Sequence, residues 1–447
     1  MTAVHDGMIE AQVKPGEPWR AYLTRTVESL RPHLEVAPVD ATEYGGRSDR
    51  RIQATGFYRA VKIGHRWWLA DPTGALCIHL GVTSVRTGNS PTSRKALGER
   101  FGNHAAWADH TAAWLRELGF HGTGAWSDAR MMHHATPRLA YTPIWNFMSS
   151  YGRARGGTYQ APGHTGYRNG CIFVFEPEFA EFCEEHAKQL ASLNDDPYLL
   201  GHFTDNELPV YRDLLDRFLA LDPKDPGYRA AREWVFARKG RWPAELTDDD
   251  RDAFRGFVFE EYARITTQAI RRNDPNHLIL GPRLHGDAKF SPAIFKAVGK
   301  YLDVIGVNFY GRWVPELELL RDWERWSGRP SMITEFYTKG ADSGCGNTSG
   351  AGWIVRTQRD RGLFYQTFAL QLLESACCVG WQWFKYMDND PDDHTADPSN
   401  RDANKGIVTV CFEPYEELVT RMKELNDSVY AVVDYFDRCR SSEVVTA

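Results

Sequence analysis

The sequence predicts an α/β fold, a (β/α)8 TIM barrel with an N-terminal arm and a β-hairpin ahead of it. Three observations predict it. Eight apolar, strand-like runs recur along the chain, and helical patterns fall between most of them. The glycine motifs of the competing open sheet are missing: no G-x-G-x-x-G follows the first run, and no G-x-x-x-x-G-K-[ST] occurs anywhere.

Taken in order, residues 1–56 read as a polar, irregular arm with a short helix near Pro18–Leu30. Two strand-like stretches, 57–63 and 66–70, flank Gly64-His65 and predict a hairpin. Asp71-Pro72-Thr73-Gly74 fits a type I turn, with proline fixing φ at the second position. The barrel, within a domain spanning 57–440, is expected to take its strands from Cys77–Val85, His121–Trp126, Leu139–Ile144, Tyr198–Asp205, Leu278–Arg283, Val304–Asn308, Ser331–Glu335 and Cys378–Trp383. Residues 441–447 read as a tail.

The helices announce themselves by spacing. Trp107, Thr111, Trp114, Leu115 and Leu118 share one face, as do Phe179, Phe182, His186, Leu190 and Leu193. A long helical stretch after the fourth strand breaks near Lys239–Pro243, and Thr247–Asp250 supplies a fresh N-terminal cap. Phe254, Phe257, Val258, Tyr262, Ile265 and Ala269 then repeat at helical intervals, and Val355–Glu374 predicts a further helix. Gly344, Gly346 and Gly350 fall in a loop after the seventh strand.

The 447 residues are 42% hydrophobic and 25% charged, which suits a globular chain with a large core. A net charge of −6 and the lack of a basic run argue against a nucleic-acid partner. No run of 18 apolar residues offers a membrane span. No basic segment followed by an apolar run opens the chain, so no signal peptide is read there. The eight cysteines are scattered without C-x-x-C or metal-like spacing. Together these features favour a cytoplasmic setting.

Two acidic residues sit just past strand-like runs: Glu207 in Tyr198–Glu207 (YLLGHFTDNE) and Glu335 in Pro330–Phe336 (PSMITEF). Either alone reads equally well as an ordinary loop carboxylate. Strand ends ring one mouth of a barrel, so the two could face each other there. Cleavage of a sugar acetal needs such a pair, one group to protonate the leaving oxygen and one to attack or to activate water. Aromatic residues, 13% of the chain with 15 tryptophans, suit the apolar faces of sugars.

In this arrangement the sequence resembles the clan A glycoside hydrolases, whose Asn-Glu pair after strand four and Glu after strand seven match Asn206-Glu207 and Glu335. The resemblance is closer to the β-agarases of glycoside hydrolase family 50. It is carried by Trp67–Gly74 (WWLADPTG), Leu80–Ser84 (LGVTS), Leu118–Asp128 (LGFHGTGAWSD), Gly201–Leu208 (GHFTDNEL), Asp303–Tyr310 (DVIGVNFY), Thr334–Phe336 (TEF) and Gly340–Gly344 (GADSG), between about residues 57 and 436. Thr334 and Tyr337 depart from the glycine and histidine more usual in that family, and there is no room for an extra N-terminal β-domain. A short β-linked, galactose-containing oligosaccharide is therefore the expected carbohydrate partner.

The resemblance implies a retaining mechanism, with Glu335 as nucleophile and Glu207 as acid and then base. It also implies Asn206 on the sugar 2-hydroxyl and Tyr310 orienting Glu335. Trp381 and Trp383 point one way if the last strand alternates, so one of them is expected to floor the sugar pocket. Trp126, Asn308, His285 and His202 are further candidates at the mouth, and the loop 388–405 is expected to shape the leaving side. No cofactor or metal is called for, and pairing of helical faces into a homo-oligomer stays open. Two other readings remain: an inactive barrel that only binds sugar, and a metal-dependent barrel hydrolase using His79, His202 and His285.

Overall fold

Parallel strand pairs alternating with helices make this a mixed α/β protein with several sheets. The computed structural model describes residues 7–35, 39–393 and 401–446. They divide into two compact units. The first holds the described residues of Met1–Pro143, Phe309–Arg321 and Ile333–Ala447; the second holds Ile144–Asn308 and Asp322–Met332.

In the first unit, Cys378–Trp383 pairs in parallel with His79–Val82, which pairs with Gly122–Thr123, which pairs with Ala140–Tyr141. The end of Ser331–Glu335 lies on the other side of Cys378–Trp383. In the second unit, Gly201–Phe203 pairs in parallel with Leu278–Gly281, and a parallel bridge joins Leu284 to Val307 beside the strand Ile305–Asn308. Each of the eight expected strands is present, several of them shortened to two to four residues.

The expected hairpin forms from Arg59–Ile63 and Arg66–Ala70. Its following turn is fixed by Asp71, whose Oδ1 accepts from the Thr73 and Ala75 amides and the Thr73 hydroxyl, while Gly74 takes φ +84°. The helical break is also where expected. Pro226–Lys239 ends on Gly240 in the left-handed region, and Asp248–Asn273 starts from a capping box of Thr247 and Asp250.

The N-terminal arm is different. Instead of a helix near Pro18–Leu30, Arg20–Thr24 is a strand paired antiparallel with Gly7–Gln12, and only Val27–Leu30 is helical. Gly7–Gln12 joins Trp353–Val355, which pairs with Thr338–Gly340, giving a four-stranded sheet. The second partner of Gly7–Gln12, Trp353–Val355, lies more than 300 residues away, so local propensity had little say there. The last helix, Glu416–Thr446, runs through most of the segment expected as a tail, leaving Ala447 outside the described residues. No helix among the described residues is long and apolar enough to cross a membrane. Five of the eight cysteines are buried.

Two imidazoles, His79 buried and His121 half-buried, give the fold a pH dependence. His79 packs so closely on Gly122 that a Cβ there would lie 2.0 Å from its Cε1. Burial pushes His79 down to about 3 and His121 to about 4, from an ordinary 6.5. As pH falls through 6.5 the unfolded chain therefore takes up protons that the folded chain refuses. The stabilisation is full above 6.5 and drains away toward those lowered values. Asp205, raised by burial from 3.8 to about 6, acts in the opposite direction but over a smaller span. We expect the urea unfolding midpoint to be lower at pH 5 than at pH 7; an equal or higher midpoint at pH 5 would contradict this balance.

Candidate active site

In the second unit, the chain leaves the strand Gly201–Phe203 and turns sharply. The Thr204 amide donates to Gly281 O at 3.0 Å and the Glu207 amide to Pro282 O at 3.1 Å, tying the turn to the neighbouring strand's end. Glu207 itself takes φ +50°, a left-handed conformation that costs a side-chain-bearing residue roughly 1–2 kcal/mol. Asp205 anchors the turn from below. Its buried carboxyl accepts from the Met148 and Ser149 amides at 2.8 and 3.1 Å, at the start of the helix Phe147–Arg155, and from the Tyr262 hydroxyl at 2.7 Å.

Around Glu207 the polar groups are specific. Asn308, buried at the end of Ile305–Asn308, donates through Nδ2 to Glu207 Oε1 at 2.9 Å and to Asn206 Oδ1 at 3.1 Å. Arg283, also buried, donates to the same Asn206 oxygen at 3.0 Å and lies over the Phe203 ring. Burial raises the Glu207 carboxyl above its ordinary value, although the Asn308 hydrogen bond and the positive charges of Arg283 and Lys289 pull it down. A half-buried carboxyl raised in this way can keep its proton to donate.

The second acidic residue lies in the first unit. Glu335 ends its strand buried, its carbonyl accepting from the Phe309 amide at 2.8 Å. Its side chain accepts a 2.7 Å hydrogen bond from the Tyr310 hydroxyl. A carboxylate held by a phenol is fixed in direction. Tyr337, at the place expected for histidine, packs edge-on to Tyr310 and against Phe384. Trp126 is half-buried, with φ +60°, and meets Phe384 edge to face.

Other expected positions lie elsewhere. Trp381 and Trp383 do share a face, but it is the one packed against the helix Gln358–Ser375. Both indoles are fully buried, and their N–H groups bond Tyr365 Oη at 2.8 Å and Lys405 O at 3.0 Å. This sets them in the core, not at a surface a sugar can reach. The opposite face of that strand carries Gln382, bonded to Thr142 Oγ1. His202 is likewise fully buried. The Trp145 indole donates to its Nδ1 at 2.9 Å, so Nε2 carries the proton and donates to Asp274 at 2.7 Å. His285 is half-buried just ahead of the short helix Gly286–Phe290. In the loop 388–405, Asp388 is buried and accepts from the Lys405 and Gly406 amides and from Tyr415 Oη, while residues 394–400 lie outside the described residues.

His202, Asp274 and His277 bring their ligand atoms within 4.8 Å of one another. They do not fit a metal. Both His202 nitrogens are engaged, and His277 bonds Asp274 through Nδ1 and Asp196 O through Nε2. Burial disfavours the Asp274 anion, but the hydrogen bonds from both imidazoles outweigh it and hold the carboxyl well below its ordinary value. His79, the third histidine of the metal reading, is the core residue packed on Gly122.

Arg283 was not among the expected site residues. It closes the fifth strand-like run, yet a basic residue there reads as a solvated end, and its φ of +54° is invisible to pattern reading.

No family model matches the chain. It is 25% identical over 494 aligned residues to Beta-agarase B of Vibrio sp. (strain JT0107), covering 87% of this chain and 50% of that protein. The chain spans about half the length, or less, of the curated relatives it matches. The crystal structure of BpGH50 superposes with a TM-score of 0.83 at 31% identity, covering 98% of both chains. That of the agarase AgWH50C gives a TM-score of 0.73 at 21% identity, over 91% of this chain and 68% of that one, a likeness of fold.

Proposed function

The chain belongs to glycoside hydrolase family 50, and from that premise we propose that it hydrolyses β-linked, agarose-type oligosaccharides by double displacement. Glu207 is the acid and Glu335 the nucleophile. The observation that carries the reading is how each carboxyl is held. Glu207 is pushed toward its protonated form by burial, while Glu335 is fixed in direction by the Tyr310 hydroxyl. The fold that goes with this function is the eightfold β/α barrel, and the parallel pairing within each unit supports it.

In the first step Glu335 attacks the anomeric carbon while Glu207 gives its proton to the departing oxygen. Once Glu335 is esterified its negative charge is gone, and Glu207 can take a proton from water, which opens the ester. Such retention requires the two carboxyls roughly 5–5.5 Å apart, and inversion a wider gap that admits water. Tyr310 holds the attacking oxygen in line. Asn206 donates to the 2-hydroxyl, and Trp126 and His285 line the mouth.

Proton NMR of the first product formed, with enzyme in excess over an agarose-derived oligosaccharide, tests the chemistry. The β-anomer is expected before mutarotation. An α-anomer at the earliest time would replace double displacement by direct attack of water with the same two carboxyls.

A further inference from the structure

We infer that Arg283 is a positioning residue which fixes the side-chain amide of Asn206 in the one orientation that turns its N–H donors toward the sugar. The inference rests on the function proposed above and adds to it a residue outside the reacting pair.

A side-chain amide has two edges, an oxygen that accepts and a nitrogen that donates, and it can turn over by half a rotation. At Asn206 the choice is made by its neighbours. Arg283 has only donors, and it meets Asn206 Oδ1 at 3.0 Å. Asn308 presents Nδ2 to the same oxygen at 3.1 Å, and that nitrogen is also bound at 2.9 Å to Glu207 Oε1. The Asn206 oxygen therefore receives two donors. A flipped amide would set its own N–H groups against a guanidinium, a donor-to-donor clash beside a buried cation. Asn206 is half-buried, and its nitrogen is the edge left to donate to an oxygen of the substrate.

The guanidinium is itself enclosed. It is fully buried, lies 5.3 Å from the Phe203 ring centroid, and grows from a backbone at φ +54°, beside the carbonyl of Pro282 that receives the Glu207 amide. The strand end that holds the acid by its backbone thus holds the neighbouring amide by a side chain. A neutral residue at 283 leaves the Asn308 hydrogen bond on that amide and removes the penalty against the flip. The expected loss then falls on one substrate group, the hydroxyl that Asn206 addresses, and not on chemistry in general.

The experiment compares an aryl β-glycoside of an agarose-type disaccharide with its counterpart lacking the 2-hydroxyl next to the scissile bond. With Arg283→Met we expect kcat on the parent to fall about 10- to 100-fold with KM little changed, and kcat on the deoxy compound to fall less than about threefold, the range for losing one transition-state hydrogen bond to a charged or aligned partner. In an Asn206→Ala background the same substitution should add less than about threefold, since the two act as one unit. Arg283→Lys, whose ammonium also only donates, should keep the preference for the parent. Equal losses on both substrates, or full additivity with Asn206→Ala, would overturn the inference. If the methionine variant does not fold, the lysine variant decides, because a folded lysine enzyme that has lost the preference also overturns it. A wild-type enzyme that cleaves neither glycoside nor agarose-type oligosaccharide would instead refute the proposed function.

Discussion

Glu335→Gly is expected to lower kcat on an agarose-type oligosaccharide by roughly 10⁴- to 10⁶-fold, the range for deleting a covalent nucleophile. The carboxylate stands at the end of a buried strand, with the Tyr310 hydroxyl bonded to it at 2.7 Å. Glycine leaves a space the size of a small anion. Added azide or formate should enter it and restore turnover on a substrate with a good leaving group, azide giving an α-glycosyl azide. The measurement is rate against anion concentration, with the product identified by NMR. A glycine variant with an unaltered rate would end the nucleophile assignment.

Glu207→Gln should lower kcat by roughly 10²- to 10⁴-fold on an oligosaccharide, whose leaving alkoxide needs a proton. The amide keeps the Asn308 contact within reach but has no acidic proton. On a dinitrophenyl glycoside, whose leaving group departs as a stable anion, the loss in the first step should be far smaller. The pH profile carries a second signature. Burial raises the Glu207 carboxyl, so in the wild type kcat/KM should fall on the alkaline side as that raised group gives up its proton. The glutamine variant should lack this limb. Losses equal across both leaving groups, with the alkaline limb intact, would show that Glu207 is not the acid.

What could be read in advance follows from where the information lies. Each strand of the expected series announces itself by an apolar run, and Gly240 with Thr247–Asp250 marks a helix boundary by local chemistry alone. The two acids were legible because they follow such runs directly. The arm at Arg20–Thr24 was not, because its partner Gly7–Gln12 is itself held by Trp353–Val355, and long-range pairing overrides a local helical preference. Alternation put Trp381 and Trp383 on one face, as found, but it does not say which face meets the helix Gln358–Ser375; Gln382 took the other. Arg283 escaped notice because its role depends on a backbone angle and on Asn206, 77 positions away.

The left-handed backbone at Glu207 bears on how this protein can be improved. Glycine is the residue that such an angle accepts most easily. A library sorted only for heat resistance would reward the exchange of Glu207 for glycine, and with it the loss of the acid. Selection for robustness and selection for turnover pull against each other at that one codon, so any screen of this chain has to score both together.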